Sequence, residues 1–112
     1  MANDIKNDRA TMLKEKIKYA KKVLDGPDVF NSASEEMGHR LARECIKHGE
    51  YGLKNLANGK TLESEVKNAL KMNREDRQKH YQSVFEEGGI MAVNELRYAV
   101  MAERQKTQEI EI

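Results

Sequence analysis

Two residues in the middle of the chain have types and spacing that could carry nucleophilic chemistry. Cys45 and His48 stand three residues apart, which puts both side chains on one face of a helix, and Glu44 is near enough to orient the ring. A thiol beside an imidazole is the arrangement of an activated cysteine nucleophile. Both residues also fall on an apolar stripe, where a small buried thiol and a histidine with satisfied hydrogen bonds are commoner. The sequence therefore predicts no catalytic residue and no enzyme.

Glu36 and His39 have a spacing that occurs in helical metal-binding sites. Glu36 and His39 are placed as a helix offers a carboxylate and an imidazole to a carboxylate-bridged di-iron centre. Such a centre needs a second copy of the motif and two more carboxylates, and neither of the other histidines follows a glutamate by three residues. No glycine-rich phosphate-binding loop is present either. We expect no metal ion and no cofactor.

The strongest charge pattern lies at the start of the chain. Residues 1–24 hold seven Lys or Arg against three Asp or Glu, although the net charge of the whole chain is only +1. On one side of the predicted first helix, four lysines flank the apolar stripe, with only Glu15 close enough to pair with them: Lys14, Lys18, Lys21 and Lys22. Most such runs are solvated faces. These lysines are nevertheless the predicted partner-binding residues, for an acidic protein surface or, alternatively, for nucleic acid through residues 1–24.

Composition points to one small helical domain. The chain has 112 residues, of which 38% are hydrophobic, 5% aromatic and 35% charged. With so few apolar residues, a core can form only from narrow stripes on amphipathic helices, and one proline is too few to interrupt them often. A thin core also favours burial between copies, so we predict a homodimer.

The sequence predicts a cytoplasmic protein. The single cysteine, Cys45, cannot form an internal disulfide, and the first residues lack the apolar run of a secretory signal. No apolar stretch approaches the length of about 20 residues that spans a bilayer. We therefore expect no membrane association and a reducing compartment, which is the host cytoplasm if the protein is phage-encoded.

The first helix is expected from about Asn7 to Leu24, because apolar residues recur there at steps of four, three and four: Leu13, Ile17, Ala20 and Leu24. Gly26-Pro27 ends it, and residues 25–31 form a connecting turn. Ser32 with Glu35 fits a capping box for a second helix, whose shared face carries Met37, Leu41, Cys45 and His48.

Two glycines make the end of the second helix uncertain from the sequence alone. Gly49 and Gly52 each lower helix propensity by about 1 kcal/mol relative to alanine, so the stretch beyond them is either a separate turn or a bent continuation. Asn58-Gly59 closes it, with Gly59 at the left-handed cap position.

The remaining helices are predicted from their caps and breaks. Thr61 caps a third helix, and Asn73 with Asp76 caps a fourth. Gly88-Gly89 breaks the fourth helix, and a fifth runs to about Arg104. The sequence thus predicts an all-α bundle of about five helices in one domain, residues 1–104, followed by a frayed polar tail, residues 105–112.

The last two helices are expected to fold back on each other as a hairpin. The faces that would meet carry Tyr81, Val84 and Phe85 on one helix and Val93, Leu96 and Val100 on the other. Arg77 and Glu95 are polar residues that could pair across this hairpin.

The same third of the chain carries three short motifs. They are Leu70-Lys71-Met72-Asn73-Arg74-Glu75-Asp76-Arg77, then Tyr81-x-x-Val84-Phe85-Glu86-Glu87-Gly88-Gly89, then Ala92-x-x-Glu95-Leu96-Arg97. Together they resemble a family of small uncharacterised proteins encoded by tailed phages and prophages, in which a leucine-methionine step, usually followed by proline, precedes an acidic-arginine helix and a Gly-x-x-Ala-x-x-Glu-Leu helix. The resemblance covers residues 69–104, and Asn73 stands at the usual proline. It implies a mobile element as genomic setting and no assigned reaction.

The predicted function follows from what is absent and from the helical surface. With no catalytic constellation, a densely charged surface and amphipathic helices able to dock, the sequence favours a non-enzymatic protein-binding module of a phage or mobile element. Such a module would be an inhibitor or adaptor on a host enzyme or defence complex. The alternative is a nucleic-acid-binding accessory or regulatory protein that uses the basic first helix.

Overall fold

A computed structural model shows that the chain is all-α, as predicted. It describes the backbone of residues 2–26 and 33–111 and the side chains of residues 8–26 and 36–106. The described residues form four helices: α1 (Ala2–Leu24), α2 (Ala33–Ala57), α3 (Leu62–Lys71) and α4 (Arg74–Glu111). Within these ranges no helix has an apolar stretch that could cross a membrane. The predicted capping box at Ser32 and Glu35 and most of the turn at 25–31 lie outside the described residues.

Helices α1 and α2 pack as an antiparallel pair. The predicted apolar stripe of α1 faces α2, since Leu13 and Ala20 are buried and Ile17 and Leu24 are half-buried. Leu13 lies against Gly52, and Ile17 lies against Gly49. The pairing confirms the stripe that the sequence predicted, while α1 itself begins at Ala2 rather than near Asn7.

Helix α2 runs without interruption through both of its interior glycines. A Cβ atom at Gly49 would lie 2.5 Å from Ile17 Cγ1, and one at Gly52 would lie 2.8 Å from Leu13 Cδ1. The absence of side chains at these two positions therefore lets the backbones of α1 and α2 approach closely. Packing energy gained at this contact outweighs the low helix propensity of glycine, so the helix continues to Ala57 and the predicted alternative of a separate turn is wrong.

Three caps that the sequence predicted are present, at Gly59, at Thr61 and at Asn73, whose side chain accepts the amide of Asp76 at 2.8 Å. Gly59 has φ of 76°, and the amides of Gly59 and Lys60 donate to the carbonyls of Leu56 and Asn55, which is the Schellman arrangement. The Thr61 side chain accepts the amide of Ser64 at 3.1 Å and caps α3.

Helix α4 contains the predicted break at its second glycine. Gly89 has φ of 86° and ψ of −176°, which is not helical, while helical backbone continues directly on either side. The described chain therefore has four helices rather than about five, because the expected fourth and fifth helices join without a linker into one element. We call residues 74–88 the first arm of α4 and residues 90–111 its second arm.

The two arms of α4 fold back on each other. Arg97 Cζ lies 5.9 Å from the ring centroid of Tyr81, although residues sixteen apart in a straight helix would be separated by about 24 Å. The reversal gathers a core from α3 and both arms: Val66, Ala69, Val84, Ala92, Val93, Leu96 and Val100. Tyr81 packs at its edge. Phe85, which the sequence places inside the hairpin, is instead 44% exposed.

The expected pairing of Arg77 with Glu95 is wrong. The Arg77 guanidinium donates to the carbonyls of Ala69 and Met72 at 3.1 and 3.0 Å, where it caps the end of α3. Glu95 is held instead by Arg9 and His48. Helical backbone also extends past residue 104 to Glu111, so the division of the chain there into a domain and a tail stays a prediction.

Candidate functional site

The four lysines predicted to bind a partner are all exposed on α1. Lys14, Lys18 and Lys22 recur at steps of four and so form a row along the helix, and Lys21 lies to one side of it. Lys22 Nζ lies 5.8 Å from the ring centroid of Tyr19, which is exposed. None of the four forms an ion pair with another residue that the structure describes. Their role in binding stays a prediction.

The apolar stripe of α2 is covered over only half its length. His48 is 4% exposed and Cys45 is half-buried, but Leu41 is 56% and Met37 is 69% exposed. The second arm of α4 provides the cover, with Met91 against Cys45 and Glu95 against His48. Because that arm begins at residue 90, beside Cys45, it does not reach the two preceding turns of the stripe.

Helix α1 presents apolar side chains at the same end of the pair. Tyr19 and Val23 are exposed and lie three and seven residues after Lys16, on its side of the helix. Lys16 contacts His48, and α1 and α2 are antiparallel, so Val23, seven residues later, falls opposite Leu41, seven residues earlier. We call the surface formed by Tyr19, Val23, Met37 and Leu41 the open end.

A partly buried polar cluster, with His48 at its centre, lies next to the covered half of the stripe. Arg9 holds the Glu95 carboxylate with two hydrogen bonds, of 2.7 and 3.3 Å. His48 Nε2 lies 3.3 Å from Glu95 Oε1, and His48 Nδ1 lies 3.0 Å from Lys16 Nζ. An ammonium group can only donate, so Nδ1 accepts from Lys16 and Nε2 donates to Glu95. The cluster therefore links α1, α2 and α4 through the imidazole of His48.

The cluster changes the acidity of Glu95. Burial alone would raise the pKa of this carboxyl group, but the hydrogen bonds from His48 and Arg9, together with the positive charge of Arg9, lower the pKa from 4.5 to about 2. Glu95 consequently stays ionised well into the acid range in the folded protein.

The free energy of unfolding should therefore fall as the pH drops from about 4.5 to about 2. The unfolded chain takes up a proton at Glu95 in this interval and the folded chain does not, so acid favours unfolding. We expect Glu95→Gln to lower stability at neutral pH by about 2 kcal/mol, a value reduced for solvent screening because 30% of the side chain is exposed.

Urea unfolding at several pH values measures this effect. The difference in free energy of unfolding between wild type and Glu95→Gln should become smaller as the pH falls. Glu50→Gln, which changes an exposed carboxylate of α2, should have the stability of wild type at every pH. A Glu95→Gln variant as stable as wild type at pH 7 would contradict the role of the cluster.

The structure does not bring Cys45 and His48 together as a nucleophile and its base. Both ring nitrogens of His48 already have partners, in Lys16 and Glu95, and the Cys45 sulfur lies 3.9 Å from the Met91 sulfur. His48 is thus the buried histidine with satisfied hydrogen bonds that the sequence favoured.

Glu36 and His39 do not belong to a group of side chains that could bind a metal ion. Glu36 pairs with Arg40 at 2.9 Å along α2. Over the described residues, no three His, Cys, Asp or Glu side chains converge closely enough to hold a metal ion.

With this geometry in hand, we compared the chain with known proteins. No protein-family model matches it, no curated protein matches it, and no solved structure matches it. The site must therefore be interpreted from its own residues.

Two concave regions lie on the part of the surface that the structure describes. A cavity of about 30 Å³ beside the polar cluster has room for about one water molecule. A shallow groove of about 240 Å³ lies between α3 and the second arm of α4, and its lining is Leu62, Glu63, Val66, Lys67, Leu70, Ala99 and Glu103.

Sequence reasoning missed Arg9 and Lys16 and assigned Glu95 the wrong partner. A signal was available for Lys16 and Glu95, since each interrupts an apolar stripe: Lys16 lies between Leu13 and Ile17, and Glu95 adjoins Leu96. A charged residue on a buried face needs a partner, although the spacing cannot say which one.

Proposed function

We propose that the protein is a non-enzymatic protein-binding module that holds its partner on the open end. The observation that carries this proposal is the change in exposure along one face of α2, from 4% at His48 to 69% at Met37. The exposed half of the stripe carries the apolar side chains of Met37 and Leu41, and the chain's own fourth helix covers only the other half, at Cys45 and His48. Exposed apolar side chains that adjoin one another, with charged residues around them, are typical of docking surfaces.

The proposed biological setting is a phage or other mobile element. Its support is the resemblance of residues 69–104 to small tailed-phage and prophage proteins. An inhibitor or adaptor that acts in the host cytoplasm, on a host enzyme or defence complex, needs a docking surface and no chemistry of its own. That requirement agrees with a buried polar cluster whose groups are used to hold helices together.

A second candidate function is nucleic-acid binding by the basic first helix. The observation in its favour is the exposed row of Lys14, Lys18 and Lys22, which has no carboxylate partner among the described residues. Lysines spaced in this way can follow a phosphate backbone, and such binding weakens steeply with salt. The apolar open end has no role in that function, so one experiment can separate the two.

The test is capture of the tagged protein with its partners from nuclease-treated host lysate, with chemical crosslinking and mass spectrometry. We expect a stoichiometric complex with one protein, and we expect the double variant Met37→Ser, Leu41→Ser to reduce its recovery by about tenfold or more, as loss of central apolar contacts does. Both side chains are already exposed, so the variant should unfold at the wild-type urea concentration.

The matched control is the double variant Tyr98→Ser, Met101→Ser on α4. These side chains are 67% and 54% exposed, close to the values at Met37 and Leu41, but they lie beyond the covered half of the stripe. The control should retain the complex. If both variants retain it, the open end is not the docking surface, and if nuclease alone removes the captured material, the nucleic-acid function is the correct one.

A further inference from the structure

We propose that α4 opens at Gly89 and that two copies of the chain exchange their second arms. We call α1, α2, α3 and the first arm of α4 the body of the chain. In the exchanged dimer, the second arm of each copy packs against the body of the other. The exchange goes beyond the proposed protein-binding function and does not depend on it. Three features of α4 support it: a reversal made at one residue, the contacts of the second arm, and an apolar stripe that is continuous in a straight helix.

The reversal of α4 is made without a loop. Within this helix Gly89 alone departs from helical φ and ψ, and helical backbone begins again at the next residue. Two antiparallel helices are ordinarily joined by a loop of about two to five residues. A connection shorter than this favours domain swapping, because a change at the hinge converts the closed chain into an open one. The conformation of one residue therefore decides between a hairpin and a straight helix of 38 residues.

The second arm carries contacts that can pass unchanged to another copy. Glu95 lies 2.7 Å from the Arg9 guanidinium of α1 and 3.3 Å from His48 of α2. The arm also supplies buried side chains to the core that it forms with α3 and the first arm: Ala92, Val93, Leu96 and Val100. All of these partners precede Gly89 in the chain, so exchange forms the same contacts between copies. The free energies of the closed and exchanged states therefore differ mainly at the hinge and in the cost of association.

A straight α4 would present one apolar stripe that continues through the hinge. Its members recur at steps of three, four, four, four and three: Tyr81, Val84, Gly88, Ala92, Leu96 and Ala99. Tyr81 and Ala99 are eighteen residues apart, which is about five helical turns, so they lie on the same face. All of the stripe except Gly88 belongs to the core between the arms or packs against it. A hairpin does not require the stripes of its two arms to be in phase, whereas a straight helix that packs along a second one does.

The closed hairpin also gives the geometry of the exchanged pair. Tyr81 and Arg97 lie eight residues before and after Gly89, and the Arg97 Cζ atom is 5.9 Å from the Tyr81 ring centroid. In two straight antiparallel α4 helices, Tyr81 of each copy would meet Arg97 of the other, on both sides of a two-fold axis at Gly89. Phe85 and Ile90, which are 44% and 46% exposed, lie within four residues of that axis. Exchange would bring these two apolar side chains of both copies together.

The first experiment measures the mass of the full-length protein by light scattering after size-exclusion chromatography. Refolding at high concentration should give both a monomer near 12.9 kDa and a dimer of twice that mass. The isolated dimer should return to monomer slowly on dilution, because the second arm must leave the core before the chain can close. Wild-type protein that stays monomeric at every concentration would overturn the proposal.

Gly89→Ala should lower the dissociation constant of the dimer by at least about a hundredfold. A side chain disfavours the φ of 86° that the closed form requires, and its Cβ atom would lie 2.5 Å from Glu44 Oε2. A straight helix, in contrast, accepts alanine better than glycine. The matched control is Gly59→Ala, where φ is 76° but the residue lies between α2 and α3, inside the body. That variant should keep the wild-type dissociation constant, and an equal change in both variants would contradict a hinge at Gly89.

Charge reversal distinguishes an exchanged dimer from an association of closed chains. Arg9→Glu and Glu95→Arg, made in separate chains, each place like charges together in the closed form. In an exchanged heterodimer of the two, the altered arm meets the altered body and the native arm meets the native body, so opposite charges face each other at both sites.

The two variants are refolded together and the products are counted by native mass spectrometry. We expect the heterodimer to exceed either homodimer by at least about tenfold. The control is one chain that carries both Arg9→Glu and Glu95→Arg, which restores opposite charges in the closed form and should recover the helix content of wild type by circular dichroism. A statistical mixture of the two chains would overturn the exchange and identify the dimer as two closed chains in contact.

Discussion

Replacement of Gly49 by leucine should lower the free energy of unfolding by about 2 to 3 kcal/mol, the upper range for an overpacked core position. A Cβ atom there would come within 2.5 Å of Ile17 Cγ1 and 3.2 Å of the Leu13 carbonyl oxygen. Ile17 can change rotamer, but the carbonyl belongs to the backbone of α1, so the two helices must move apart. Leucine is a better helix former than glycine, which offsets only about 1 kcal/mol of this cost. Urea unfolding monitored by circular dichroism measures the difference.

Gly38→Leu is the matched control for that prediction. Gly38 lies on the same helix, and a Cβ atom there would meet nothing within 4 Å. We expect this variant to be as stable as wild type or more stable by up to about 1 kcal/mol, from helix propensity alone. If Gly49→Leu and Gly38→Leu had equal stability, the close approach of α1 to α2 at Gly49 would be refuted.

The contrast between these glycines shows what the sequence could predict about the fold. Caps and stripes depend on neighbours a few residues away, so Thr61, Gly59 and the α1 stripe were predicted correctly. The continuity of α2 through Gly49 and Gly52 depends on α1, which lies more than thirty residues earlier in the chain. Small residues do recur on the side of α2 that meets α1, at Gly49 and Gly52, with the buried Ala42 seven residues before Gly49. That spacing is a signal of close helix packing that helix propensities alone do not capture.

The candidate site was predictable in its parts but not in its assembly. The sequence placed Met37, Leu41, Cys45 and His48 on one face of a helix, and the structure keeps them on one face. Periodicity cannot tell how far along that face another helix extends. The limit is set by the start of the second arm beside Cys45, which is a long-range property of the fold. The exposed half of the stripe, and with it the open end, could be identified only once that limit was known.

The point at which the second arm of α4 begins to cover α2 depends on one backbone conformation, at Gly89. Its φ of 86° with ψ of −176° belongs to a region that only glycine enters readily. The sequence predicted a break here because two glycines are adjacent, but the turn itself lies at the second of them. Any residue with a Cβ atom at position 89 would favour continuing α4 as a straight helix, which would withdraw the second arm from the α1–α2 pair or the first arm from α3.

Gly89→Ala should therefore lower the free energy of unfolding by about 2 to 3 kcal/mol, the cost of forcing a residue with a side chain into this region. The new Cβ atom would also lie 2.5 Å from Glu44 Oε2, which must move. Gly59→Ala separates backbone strain from crowding, because Gly59 has a similar φ of 76° but a Cβ atom there meets nothing within 4 Å. We expect that control to lose only about 1 kcal/mol. A Gly89→Ala variant with the urea midpoint of wild type would mean that the chain does not reverse at Gly89, and the covered half of the α2 stripe would then need another explanation.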